Sequence, residues 1–180
     1  FSAMASTASS IRVVISLSRK SGTHVTTVDP DGTIRVAFDV LWNGRGPHTD
    51  ATIRLSPDGT IRSLDAKGHH EMRTPVDETF VREGGHARWK SLEERGERDL
   101  PGGAFYVPGC ALPEILGLLP GAILRAGGSM LLLPGGMARI ERTTETTVRA
   151  GADERRLRGY AIHGLDLVPT YVWMHEEDGS

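Results

Sequence analysis

The fold is decided by the stretch PDGTIRVAFDV, residues 30–40. A turn triplet, PDG, precedes a strict alternation in which the apolar side chains fall at positions 34, 36, 38 and 40. Such an alternation is typical of a half-buried antiparallel strand. The same triplet returns at residues 57–59, again between two apolar alternations. Two turns of this kind indicate β-hairpins and predict a mainly β fold.

Short β-rich segments continue on both sides of this stretch. The further segments that predict strands are 11–17, 24–28, 52–56, 60–65, 76–82, 86–91, 104–107, 137–148, 155–163 and 167–174. The heavily charged stretch 92–99 predicts an exposed connection. Together these segments predict a curled antiparallel sheet, either a barrel or a half-barrel.

One segment, residues 112–126, has helical spacing. Its apolar residues recur at i, i+3 and i+4, Pro113 suits a first helical position, and the glycines at 127 and 128 can close the end. Pro120 lies inside the segment and removes one backbone hydrogen bond. We therefore expect one short helical insertion, built as two short helices or one kinked helix.

Length and composition limit the class of protein. The 180 residues predict a single domain over 11–179, after a lead at 1–10 that reads as a vector remnant or a disordered segment. The net charge of −2 gives no electrostatic case for nucleic acid or an anionic membrane surface. No apolar run approaches the roughly 20 residues of a transmembrane helix. Cys110 is the single cysteine, which excludes an intramolecular disulfide and a Cys-based zinc site.

The last stretch of the chain suggests a domain cut from a longer protein. Residues 165–174 are apolar, and Asp178-Gly179 then signals a hairpin turn, which implies a returning strand. We expect such a domain to expose apolar surface at Val168, Tyr171 and Trp173, and to self-associate there.

A glycine-rich loop, NGRGPH at residues 43–48, is the first candidate binding site. Glycines let backbone N–H groups approach a ligand, and Arg45 would clamp a carboxylate or phosphate beside His48. The loop does not lead from a strand into a helix, so it is not a P-loop. A tight corner whose arginine binds another loop is the alternative.

Carboxylates and aromatic residues on predicted strands are the second candidate. Asp77 and Glu78 lie on opposite faces of a strand, so the two carboxylates cannot act together directly. Either one of them lines a cavity, or one of them forms an ion pair that holds strands in register. Trp89 is one of several aromatic residues that form the core or line a ligand cleft. The candidate ligand-binding residues are thus Arg45, His48, Glu78 and Trp89, and no catalytic residue is predicted.

A metal site is the third candidate, because the tripeptide His69-His70-Glu71 and His86 offer zinc ligands. Adjacent histidines on a strand point to opposite faces, so only one of the two could join His86. We predict no metal site in this chain.

Six strings occur in a fixed order along the chain: NGRGP at 43–47, TIRL with DG at 52–59, PVDETF at 75–80, GGHARWKS at 84–91, LLPGGMARIE at 132–141 and GLDLVPTYVW at 164–173. Together they resemble the N-terminal β-domain of exported bacterial amidohydrolase-family proteins, over roughly residues 11–178. In that family a (β/α)₈ barrel holds a His-X-His pair and a divalent metal such as zinc. The resemblance implies a periplasmic or secreted hydrolase, of which this chain is the β-domain without an active site or a cofactor.

Three functions remain open at this stage. In the first, the chain is an accessory domain that packs on or covers the catalytic barrel of its parent protein, and this barrel is its partner. Alternatively, it is a stand-alone β-barrel that binds an apolar small molecule, or a small barrel enzyme with an internal His/Glu acid–base pair.

Overall fold

The computed structural model describes residues 7–16, 19–151 and 153–175. These residues form thirteen strands and one helix, arranged in two compact units. The first unit contains the described residues up to Ser56 together with Ile61–Gly102 and Pro108–Pro113; the second contains Pro57–Thr60, Gly103–Val107 and the described residues from Glu114 onward. The turn signal at 178–179 and the start of the predicted lead lie outside the described residues.

An eight-stranded antiparallel sheet builds the first unit and curls into a half-barrel, which confirms the predicted fold class. Its strands follow one another in sequence order: β1 (Ala8–Ser16), β2 (Arg19–Val28), β3 (Ile34–Val40), β4 (His48–Leu55), β5 (Ile61–His69), β6 (Pro75–Glu83), β7 (His86–Lys90) and β8 (Arg95–Asp99). Every neighbouring pair is antiparallel. Hairpin connections between consecutive strands account for this order.

The inner face of this sheet carries its apolar residues at every second position. Ile34 pairs with Ile53, Ile53 with Leu64, and Leu64 with Phe80, and all four side chains are buried. Directly opposed residues share a face, so the strand alternation read from the sequence becomes a continuous buried row.

A five-stranded sheet and the helix build the second unit. Their bounds are β9 (Ala104–Tyr106), α1 (Glu114–Arg125), β10 (Ser129–Leu133), β11 (Met137–Ala150), β12 (Asp153–His163) and β13 (Thr170–His175). The strand order is β13-β12-β11-β10-β9, and β9 runs parallel to β10 while the other pairs are antiparallel.

The helix is one continuous element that contains Pro120. It buries Ile115, Leu119 and Ile123, which the sequence spacing placed on one face. At its end the Gly128 N–H donates to the Ile123 carbonyl over 2.9 Å, as expected for a glycine-closed C-terminus. No helix among the described residues is long and apolar enough to cross a bilayer.

Two strands escaped the sequence prediction. The stretch 92–99 was expected to be an exposed connection, but Arg95–Asp99 forms β8 and pairs with β7. Four of its five residues are charged, so it has no apolar alternation, and backbone pairing holds it in the sheet. β10 is a short apolar run, SMLLL, whose pattern does not distinguish a buried strand from a helical segment.

Candidate functional site

Three loops of the first unit lie at the same end of the eight-stranded sheet. They are 41–47 between β3 and β4, 70–74 between β5 and β6, and 91–94 between β7 and β8. The strand register aligns this end, since Asp39 pairs with His48, His48 with His69, and His69 with Pro75. We call the three loops the apolar-loop end, for the side chains that they present.

Each of the three loops is held by its own backbone. In the first, Trp42 and Arg45 exchange N–H···O=C bonds of 2.6 and 2.9 Å. In the second, the His70 N–H donates to the Thr74 carbonyl over 2.8 Å. In the third, the Ser91 N–H donates to the Glu94 carbonyl over 2.7 Å. Closed turns of this kind fix the direction of the side chains at their tips.

Every loop of the apolar-loop end exposes a large apolar side chain. The exposed fractions are 57% for Leu41, 50% for Trp42, 67% for Met72 and 62% for Leu92. The turns 29–33 and 84–85 lie at the other end of the same sheet. Among the described residues, no exposed large apolar side chain lies in either of these two turns. The two ends therefore differ in chemistry, because one is apolar at its tips and the other carries small and polar turn residues.

Glu78 is buried, with an exposed fraction of 4%, and its carboxylate holds a neighbouring segment of the first unit. The Gly109 N–H donates to its Oε1 over 3.0 Å and the Cys110 N–H donates to its Oε2 over 3.2 Å. Hydrogen bonds from N–H groups to an ionised carboxylate are among the stronger ones in proteins. Glu78 thus anchors residues 108–113 on β6, while its neighbour Asp77 is exposed.

The Cys110 thiol beside this carboxylate stays protonated. Burial first, and then the charge and hydrogen bond of Glu78, raise the pKa of the Cys110 thiol to about 12. A thiol with so high a pKa carries almost no thiolate at neutral pH, and the thiolate is the nucleophilic form. The arrangement therefore does not prepare Cys110 for nucleophilic attack.

A cleft of about 80 Å³ adjoins Glu78 at the apolar-loop end. On the same measure one water needs roughly 10–15 Å³, so the cleft has room for several waters or a small solute. His70, Asp77, Ser91 and Glu93 contribute to its wall beside Glu78. Pro75, Val76 and Leu92 add apolar surface to the same wall, so the cleft is lined by a mixture of polar and apolar groups.

His48 and Arg45 lie away from the cleft wall. His48 occupies the outer face of β4, where its Nδ1 is 3.2 Å from Asp39 and its Nε2 is 3.1 Å from Asp50. Arg45 is exposed in the loop between β3 and β4. The inner-face residue Glu78 therefore lies on the opposite side of the sheet from His48.

Trp89 shares the inner face with Glu78. It pairs directly with Phe80, a buried residue of β6 that is two positions after Glu78 and therefore on the same face. Its ring lies over Gly96 of β8, where an added Cβ would collide with the indole. The structure thus brings Glu78 and Trp89 to one face of neighbouring strands and separates both from His48.

The histidines considered as metal ligands are also separated. His69 pairs with Pro75 at the start of β6, whereas His86 pairs with Glu83 at its end. His86 binds Asp99, with 2.7 Å between Nδ1 and Oδ1. Among the residues that the structure describes, no group of three or more His, Cys, Asp or Glu is placed to hold a metal ion.

The link between Glu78 and the 109–110 backbone was not foreseen from the sequence. Glu78 and Gly109 are 31 positions apart, and neither residue type announces the contact. The one signal was a carboxylate at a core-facing position of a predicted strand, which requires a buried partner.

Comparison with known proteins identifies no relative: no family model, curated protein or solved structure matches this chain.

Proposed function

We propose that the chain is a non-catalytic accessory β-domain of an exported, metal-dependent hydrolase of the amidohydrolase type. It packs through the apolar-loop end on the catalytic barrel of that hydrolase and covers the mouth of its active site. The hydrolase part of the proposal comes from the ordered strings in the sequence, as do the periplasmic or secreted location and the zinc of the barrel. The observation that carries the packing role is the set of exposed apolar tips on three loops of one sheet end.

The chemistry of the apolar-loop end supports a protein partner. Trp and Met are enriched in protein interfaces, and Trp42 and Met72 are both at least half exposed. Arg45 and Glu93 lie in the same loops and provide charged groups for the rim of an interface. Loops supported by a sheet are a frequent location for recognition, since the scaffold holds them in place.

The buried groups of the first unit support a non-catalytic role. The Glu78 carboxylate binds two backbone N–H groups, and the Cys110 thiol is protonated. The buried His24 packs its ring edge-on against Phe38, with 5.8 Å between centroids. It lies on β2, and three strands separate β2 from β6, the strand of Glu78, in the sheet order, so an adjacent His/Glu pair is not supported.

The alternative of an apolar-ligand binder has less support. The eight-stranded sheet is open, since β1 and β8 are its two end strands. The cleft beside Glu78 is small, and Asp77 and Glu93 are in its wall. An apolar ligand prefers an enclosed cavity with few polar groups.

Hydrolysis assays test the proposal. We expect this chain to hydrolyse no amide, peptide or ester, and the longest polypeptide encoded by its gene to do so only with a divalent metal. In that longer polypeptide, Trp42→Ser with Met72→Ser should weaken protection of the loops from proteolysis and change KM. The matched control is Val28→Ser, at the other end of the sheet. Metal-independent turnover by the chain alone, lost in Glu78→Gln or His24→Asn, would show instead that the chain is an enzyme.

A further inference from the structure

β13 is an end strand of the five-stranded sheet and pairs with β12 alone. Along this pair Tyr171 is opposite Ala161, Val172 is opposite Tyr160, and Trp173 is opposite Gly159. Within the described residues no strand pairs with the other side of β13. That side therefore offers the backbone donors and acceptors of an open sheet edge.

The chemistry of β13 differs from that of the end strands β8 and β9. β8 ends the eight-stranded sheet with four charged residues in five, which is a usual way to block pairing with another chain. β9, at the other end of the five-stranded sheet, has three residues and all of them are buried. β13, TYVWMH, contains no Lys, Arg, Asp or Glu. It is an edge without the usual protection.

Tyr171 and Trp173 make the exposed face of β13 aromatic. Their exposed fractions are 68% and 52%, although the residues opposite them, Ala161 and Gly159, are buried. The Trp173 ring lies against Gly159, where an added Cβ would be 3.2 Å from it. Small residues beneath the rings therefore support them on one side and leave the other side open.

We propose that β13 pairs antiparallel with β13 of a second copy of this chain, around a two-fold axis at Val172. In this register Tyr171 is opposite Trp173 of the second copy, and the reverse pair repeats the contact. Directly opposed residues of an antiparallel pair share a face, so both aromatic pairs form on the exposed side. A two-fold interface requires such self-complementarity, and the order Tyr-Val-Trp provides it.

Charge also favours a second copy as the occupant. Over residues 170–174 the strand carries no charged side chain, so self-pairing brings no like charges together. His175 is opposite Pro169 of the second copy in this register and does not meet its own equivalent. The pairing would join two five-stranded sheets into one sheet of ten strands, and it requires nothing from the apolar-loop end.

Sedimentation of the full chain over a wide range of concentration tests this pairing. We expect a monomer–dimer equilibrium. Tyr171→Lys with Trp173→Lys places like charges opposite each other twice and should weaken dimerisation by at least about tenfold. Tyr171→Lys with Trp173→Glu, the matched control, places opposite charges there and should dimerise more strongly than the double lysine variant. Unchanged far-UV circular dichroism in both variants shows that the fold is retained.

Cross-linking then tests the register. Tyr171→Cys with Trp173→Cys should form disulfide-linked dimers that join position 171 of one copy to 173 of the other, as identified by mass spectrometry. Tyr171→Cys alone should form none, because its partner is not a cysteine, and the native Cys110 is buried. A monomer at all concentrations, equal weakening in both charge variants, or a 171–171 disulfide in the single variant would each overturn the proposal.

Discussion

Removing the Glu78 carboxylate is expected to destabilise the first unit strongly. Glu78→Ala deletes two hydrogen bonds, of 3.0 Å from Gly109 and 3.2 Å from Cys110. It also leaves the Cys110 N–H without its acceptor in a buried setting, whereas Gly109 is exposed to solvent. Unsatisfied buried donors add their own desolvation cost to the lost bonds.

The magnitude follows from these two bonds. A hydrogen bond to a charged group contributes about 1.5–3 kcal/mol, and the bond from the exposed Gly109 lies at the low end of this range. Glu78→Ala should therefore lower the free energy of unfolding by about 3–5 kcal/mol. Glu78→Gln keeps one acceptor oxygen of the same shape and should cost about 1–3 kcal/mol. Asp77→Ala, at the exposed neighbouring position, is the matched control and should change stability by less than about 0.5 kcal/mol.

Urea unfolding followed by circular dichroism measures these differences, and Cys110 supplies a second readout. Glu78 raises the pKa of the Cys110 thiol through its charge and hydrogen bond, after the larger effect of burial. We therefore expect Cys110 to react faster with a thiol reagent in Glu78→Gln than in the wild type. If Glu78→Ala costs less than about 1 kcal/mol, or no more than Asp77→Ala, then Glu78 does not anchor residues 108–113 and the reasoning fails.

Two further predictions concern Gly159 and His86. Gly159→Ala places a Cβ 2.9 Å from the Thr143 hydroxyl and 3.2 Å from the Trp173 ring. Urea unfolding should therefore show that the free energy of unfolding falls by about 1–3 kcal/mol. Gly102→Ala is the control, because its Cβ meets nothing within 4 Å, and equal effects of the two substitutions would contradict the contact. A hydrogen bond to Asp99 is the main cause that raises the pKa of His86 above 6.5. Protonated His86 therefore stabilises the β7–β8 pair fully below pH 6.5, and this stabilisation is lost as the pH rises through the folded-state pKa. Hydrogen exchange of the β8 amides should show this loss as weaker protection at the higher pH. If the same pH-dependent weakening occurs in His86→Gln, the imidazole does not have this role.

Local patterns in the sequence were sufficient for most of the fold. The alternation in residues 30–40 and the repeated PDG turn predicted half-buried antiparallel strands, because side chains alternate along a strand and the turn triplet favours a reversal. The apolar spacing of Ile115, Leu119 and Ile123 predicted the helix for a similar local reason. Pro120 left open two short helices or one kinked helix, and the structure has a single helix from Glu114 to Arg125.

β8 and β10 lacked such a pattern, and only their partners make them strands. The charged β8 is held by backbone bonds to β7, which depend on the register of the sheet and not on its own side chains. β10 lies between β9 and β11, and its parallel pairing with β9 joins segments separated by the whole helix. Propensity carries no information about such distant partners.

The sequence by itself determined which residues are candidates, since it shows a carboxylate, an arginine loop, histidines and aromatic residues on strands. Tertiary structure alone decided what surrounds them. It placed Glu78 against the backbone of Cys110, 32 positions away, and His48 on the opposite face of the sheet. It also collected Trp42, Met72 and Leu92 at one end of the first unit. The physical reason is that local patterns record the face of a strand, whereas contact between distant residues depends on the register and curl of the completed sheet.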